Sequence, residues 1–241
     1  MKAILLALFL SLLTDGWGEE IKSNGSDGGI EGNSFLPSLP SFKPNKADLE
    51  RTKRLAKGGD KLEQFKLGVR YENGYGVLKD HKEAIKWYAK SAEQGFAKAQ
   101  SNLGKSYFLG EGVPKDYKKA LRWFTKAAEQ GLAEAQYNLG GIYGSGEGVP
   151  KDYKKALIWF TKAAEQGLVH AQAMVGASYA NGLGEAKNLI EGYAWYKVAI
   201  DNGNKEAREW IKEIALSPEQ LIEAQSLSTQ IHKRIEANKR N

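Results

Sequence analysis

Cysteine is absent from this chain of 241 residues. Its absence excludes disulfides, thiol catalysis and every zinc site that needs thiolate. Histidine is scarce: His81, His170 and His232 are the only three, and no two stand near helical ligand spacing. The expectation is surface histidine, with no metal and no cofactor. Proline is also low, at 6 against 27 glycines, a balance that implies many helix ends rather than disorder throughout. No apolar run approaches the roughly 20 residues needed to cross a bilayer as a helix. Basic residues exceed acidic ones by 35 to 29, a net charge of +6. An acidic partner is favoured, and nucleic acid is not expected.

The longest apolar run is Ala3–Leu13, which follows Lys2 and is broken only by Ser11. Its length suits the core of an export signal, and Gly16-Trp17-Gly18 places small residues where a signal peptidase needs them. The expectation is a signal peptide over 1–18 and a periplasmic or secreted protein. An uncleaved anchor stays open because of Trp17. Residues 19–46 are rich in Gly, Ser, Asn and Pro and have no period. Such a composition buries too little surface to offset chain entropy, so it reads as a flexible tether with a reach of about 30 Å. Asn24-Gly25-Ser26 matches a glycosylation sequon, and Phe35–Phe42 is either plain linker or a docking patch.

From about residue 60 the chain repeats every 36 residues. Gly68, Gly104, Gly140 and Gly176 are in phase, as are Tyr71, Tyr107, Tyr143 and Tyr179, and Trp87, Trp123, Trp159 and Trp195. Gly110–Leu132 and Gly146–Leu168 differ over 23 residues only at Arg122 and Ile158. A fixed period of this length denotes a stacked array, because one unit cannot bury its apolar face alone.

One unit reads as two antiparallel helices. Ala99, Leu103, Gly104 and Tyr107 form a helical stripe over 97–109 (helix A). Gly110 to Lys115 breaks the chain, and Asp116 can cap helix B from Tyr117. Helix B carries Ala120, Trp123, Phe124, Ala127 and Ala128 at helical spacing, and Gly131 suits its C-terminal cap. The expected units are 60–95, 96–131, 132–167 and 168–203. A degenerate helix over 47–59 caps one end. Residues 204–241 cap the other, with a last helix that starts at Ser217-Pro218-Glu219-Gln220 and presents Leu221, Ala224, Leu227 or Ser228, and Ile231.

These residues resemble the Sel-one-like repeat (SLR) family, a relative of the tetratricopeptide repeat. The family pattern is met at Ala99, Leu103, Gly104, Tyr107, Gly110, Gly112, Val113, Asp116, Ala120, Trp123, Ala127, Ala128 and Gly131, and again 36 residues on. The first unit departs at Glu63, and the fourth at Val175, Asn188 and Gly192. The resemblance implies an all-α, right-handed α-solenoid of four SLR units that holds partners. A cysteine-rich subgroup is linked to β-lactam hydrolysis. This chain lacks the cysteines, so that activity is disfavoured and no catalytic residue is assigned.

Two surfaces remain as candidates. By analogy with related solenoids, helix A lines a concave face, with Lys66, Asn102, Asn138 and Met174 in one row and Phe65, Ser101 and Tyr137 in another. Asn102 and Asn138 either grip an extended peptide backbone through donor and acceptor together, or bond between helices. Lys118, Lys119, Lys154 and Lys155 stand in the first turn of helix B, where positive charge opposes the helix dipole. They read as a solvated outer face or as a site for an anionic envelope glycan. The Gly-rich turns fail the phosphate-loop spacing and follow no strand, so they read as inter-helix turns. The expected function is a non-catalytic scaffold that binds a protein or peptide.

Overall fold

The computed structural model describes residues 46–240, so the leader, the tether up to residue 45, the sequon and the 35–42 patch lie outside the described residues. Every element among the described residues is helical. In order they are α1 (Lys46–Lys57), α2 (Lys61–Asn73), α3 (His81–Glu93), α4 (Ala97–Leu109), α5 (Tyr117–Glu129), α6 (Ala133–Ser145), α7 (Tyr153–Glu165), α8 (Val169–Asn181), α9 (Leu189–Asp201), α10 (Ala207–Trp210) and α11 (Pro218–Arg240), with a short 3-10 turn at Ile211–Glu213. The protein is an all-α array of helix pairs, and it forms two compact units that divide after Ala120, inside α5.

The helix-to-helix turn has the same construction each time. Gly110 ends α4 in the left-handed region at φ 77°, a conformation that side chains with Cβ rarely adopt. Its N–H and that of Glu111 both donate to the Ser106 carbonyl, at 2.9 and 3.1 Å. The Asp116 N–H then closes the turn on the Tyr107 carbonyl at 2.8 Å. The pairs Asp80–Tyr71, Asp152–Tyr143 and Asn188–Tyr179 repeat that bond at 2.8–2.9 Å. The in-phase Tyr and the Asp or Asn nine residues later are thus the two ends of one closed turn.

The in-phase glycine of each A helix has a packing reason. A methyl on Gly68 would stand 2.5 Å from Tyr88, on Gly140 2.7 Å from Phe160, and on Gly176 2.7 Å from Tyr196. The ring of helix B lies flat against the bare backbone of helix A. These rings, together with Phe124, are at most 3% exposed. The Trp one residue earlier is only half-buried on α3, α5 and α7. The true core aromatic is therefore the residue after the Trp, and small Ala residues at 127, 128, 163, 164 and 199 complete the close approach.

In the first unit α1 stands where a preceding B helix would. Leu49 and Ala56 of α1 pack on Leu67, with Tyr71, Val77 and Trp87 at the margin. The guanidinium of Arg70, itself fully buried, pairs with Asp48 of α1. Other A helices carry Ser106, Ile142 and Ser178 at that position, so the ion pair belongs to the capped end.

In the second unit the chain after α9 is shorter than a fifth A helix. Asn204 accepts from the Ala207 N–H at 2.7 Å and starts a single turn, α10. Ala207, Trp210, Ile211 and Ile214 close over Ala173, Ala177, Tyr196 and Ala199. A reciprocal cap then starts α11. Ser217 Oγ accepts from the Gln220 N–H at 3.3 Å, and Gln220 Oε1 accepts from the Ser217 N–H at 3.0 Å. The buried face of α11 is Ala224, Ser228, Ile231 and Ile235, one turn longer than the sequence spacing suggests.

Gly140→Ala is expected to lower stability by about 1–2 kcal/mol, because overpacking against Phe160 outweighs the gain in helix propensity. Thermal unfolding of that variant checks it, and Gly140→Ala with Phe160→Leu should recover part of the loss.

Candidate functional site

The first turns of the B helices hold the predicted lysines. Asp152 Oδ1 accepts from the Lys155 N–H at 2.9 Å, and Asp116 Oδ1 from the Lys119 N–H at 3.0 Å. The same lysines fold back. Lys119 Nζ is 3.5 Å from Asp116 and 5.1 Å from the Tyr107 ring centre. Lys155 Nζ is 3.4 Å from Asp152 and 5.2 Å from the Tyr143 ring. Two of the four lysines are therefore locally engaged, whereas Lys118 and Lys154 are exposed and make no ion pair among the described residues. The backbone N–H groups of Lys119 and Lys155, followed by their charges, hold Asp116 and Asp152 below the usual carboxylate range.

The A-helix rows are more enclosed than a binding surface requires. Ser101, Tyr137, Asn138 and Met174 are between 6 and 8% exposed. Tyr137 packs its ring on Phe160 and His170 at 5.6 and 6.5 Å, and burial pushes its hydroxyl up to about 12. Phe65, half-buried, stacks on Tyr88 and Phe96, while Lys66 pairs with Glu63 at 2.7 Å. The Tyr88 hydroxyl, which faces Asn102, donates to Glu72 at 2.7 Å. Phe65, Lys66 and Asn102 are the half-exposed members of the two rows.

The histidines are apart. His81 begins α3, with its backbone against Gly112, and His170 lies beside Tyr137. His232 Nε2 is 3.3 Å from Asp201. No cluster of three potential metal ligands occurs among the described residues.

Sequence reasoning missed the polar side chains that join one pair to the next. Gln64, Gln100, Gln136 and Gln172 are in phase and at most 5% exposed. Each donates through Nε2 to a carbonyl in the last turn of the preceding helix: Ala56, Ala92, Ala128 and Ala164, at 3.1 to 3.4 Å. Those carbonyls are among the four that a helix end leaves without an internal partner. The Oε1 of Gln64, Gln136 and Gln172 accepts in turn from Gln94, Gln166 and Asn202, at 2.7 to 2.9 Å. The signal was present as two in-phase rows of amides.

These features define a tandem helix-pair repeat protein whose units are joined by buried amides. The Sel1 repeat family pattern matches residues 64–96, 97–132, 133–168 and 169–204. The chain belongs to the Sel1 repeat family. It is 39% identical to a protective antigen with an SLR fold present in uropathogenic Escherichia coli strains, with a TM-score of 0.72 over 79% of this chain. It spans only 42% of that antigen's length. A Sel1 repeat protein from Oxalobacter formigenes is 32% identical, with a TM-score of 0.63 over 76% of this chain and 83% of that one. No curated protein matches the chain.

Gln136→Leu is expected to cost about 1–2 kcal/mol in urea unfolding, because it removes two hydrogen bonds, one to the Ala128 carbonyl and one from the Gln166 amide. The lowered carboxyls predict a pH effect. Their contribution is complete above the ordinary Asp value of about 4 and is lost as pH falls through the lowered value. Stability of an Asp116→Asn/Asp152→Asn variant, which keeps both cap acceptors, should therefore fall less steeply in acid than that of the parent.

Proposed function

We propose that this chain is a non-catalytic scaffold or adaptor outside the cytoplasm, which holds a protein or peptide against its helix array. Proteins of the Sel1 repeat family are typically scaffolds for protein–protein interaction. The observation that carries the reading is the in-phase network of buried amides and glycine–ring contacts. It fixes each helix pair to its neighbour and so presents a repeated surface that needs no ordering when a partner binds. Low ordering cost is what lets a modest interface bind well. The apolar run Ala3–Leu13 before Gly16-Trp17-Gly18 supports export. A similar E. coli protein being a protective antigen is in keeping with that location.

The A-helix rows remain the proposed contact, through Phe65, Lys66 and Asn102. A second reading, an anionic envelope glycan, is favoured by exposed Lys118 and Lys154 alone.

Affinity capture from envelope extract with the full chain, beside a Lys66→Glu/Asn102→Ala variant checked for intact helix content, tests the proposal. A single protein retained by the parent at high salt and lost by the variant is the expected result. Retention of glycan alone, released as salt shortens the screening length, would transfer the function to the lysines.

A further inference from the structure

The helices in phase with α9 carry a polar outward stripe that α9 lacks. Where α7 has Lys155, Ile158, Trp159 and Lys162, α9 has Glu191, Ala194, Trp195 and Val198. On α7 both lysines are exposed, Trp159 is half-buried, and Ile158 is 48% exposed. On α9 Ala194, Trp195 and Val198 are at most 3% exposed. The cover is α11, which packs along α9. Its Arg234 guanidinium lies 5.9 Å from the Trp195 ring and 3.3 Å from Glu165, near the half-buried Glu191. On α7 the cation over Trp159 is instead its own Lys162, 4.4 Å away. The far end of α11 reaches α7, where Asn238 donates to the Glu165 carbonyl and Lys239 lies against Gly167.

Ile158 is notable on other grounds. It is the one residue that distinguishes two otherwise identical 23-residue stretches, and its twin is Arg122. At the centre of the stripe an exposed isoleucine stands where the twin helix has an exposed arginine, and every neighbour in the stretch is the same.

We propose that the stripe Lys155, Ile158, Trp159 and Lys162 of α7 is a docking site for a helix of a partner protein, an amphipathic helix whose apolar ridge is flanked by Asp and Glu. The proposal rests on the scaffold reading and names the partner's chemistry. The face of α9 in phase with this stripe already seats a helix, and that interface runs on to the end of α7. Ile158 and Trp159 supply the apolar contact. The charge requirement is inverted relative to α11. Arg234 answers Glu191, whereas α7 carries Lys162 in place of Val198 and Lys155, which folds back on Asp152, in place of Glu191, so a guest on this stripe is matched by carboxylates.

The test uses a labelled 23-residue peptide with the sequence of Pro218–Arg240 carrying Lys233→Glu and Arg234→Glu, titrated with the full chain by fluorescence anisotropy. The acidic peptide is expected to bind, and the unmodified basic peptide to bind roughly tenfold more weakly. Lys155→Glu/Lys162→Glu should weaken the acidic peptide by about tenfold or more, and Ile158→Arg by about threefold or more. Ile158→Arg restores the residue of the twin helix and should unfold near the parent's midpoint, and Lys162→Glu alone is the control that leaves the Lys155–Asp152 pair in place.

Equal affinity for both peptides, or indifference to these substitutions, would overturn the proposal. So would lysine-dependent binding to phosphatidylglycerol vesicles in place of the peptide, or a dimer of the parent that Ile158→Arg abolishes. Peptide binding without any protein retained in envelope capture would sink the scaffold reading and leave the stripe. A captured protein with no peptide binding would do the reverse.

Discussion

Each successive helix pair in this protein depends on a buried glutamine. Its amide N–H gives a second hydrogen bond to a carbonyl at the C-terminal end of the preceding helix, which also accepts from the capping glycine, and its carbonyl meets an amide from the end of its own partner helix. Both bonds come from one side-chain amide, so together they favour one height and one rotation of the pair. Apolar contact alone would tolerate sliding. A buried amide does not, because any slip leaves polar atoms without water or partner. At the N-terminal end α1 accepts the same bond through Ala56, which is why so irregular a helix still serves as the first layer.

The second constraint is depth. The glycine of helix A and the ring of helix B approach until a methyl would no longer fit. This places the residue after each Trp in the core and turns the Trp itself toward the outside. On α3, α5 and α7 the indole is then half-open and roofed by a lysine one turn later, at 4.4 to 4.6 Å. On α9 the lysine is replaced by Val198 and the roof becomes α11. The same helix face thus has two finishes, one for solvent or a partner and one for the chain's own last helix.

The construction suits the scaffold role typical of the Sel1 repeat family. The buried glutamines of the A helices join one layer to the next, while Ser106 and Ser178 bond back to their own helix. The exposed charges lie on B helices and turns, and several are engaged by a neighbouring carboxylate or ring. A-helix positions that look available on a helical wheel, such as Tyr137 and Asn138, are buried, Tyr137 against Phe160 and His170.

The sequence by itself determined the repeat, its period of 36, the two-helix unit, the closing turns and the family. These are set by local rules: glycine where φ is positive, Asp or Asn at a cap, and apolar residues at helical spacing. It also placed the last helix correctly from its Ser217 to Gln220 cap. What only the tertiary structure decided was which in-phase residue does what. Trp and the aromatic after it are neighbours on one helix, and spacing does not say which one meets the next helix. Gln64, Gln100, Gln136 and Gln172 read as ordinary polar residues until their partners, 8 and 30 residues away, come into place. The burial of Ser101, Asn138 and Met174, and the bareness of Ile158, were likewise set by neighbouring layers, because exposure belongs to the stack and not to the helix that carries the residue.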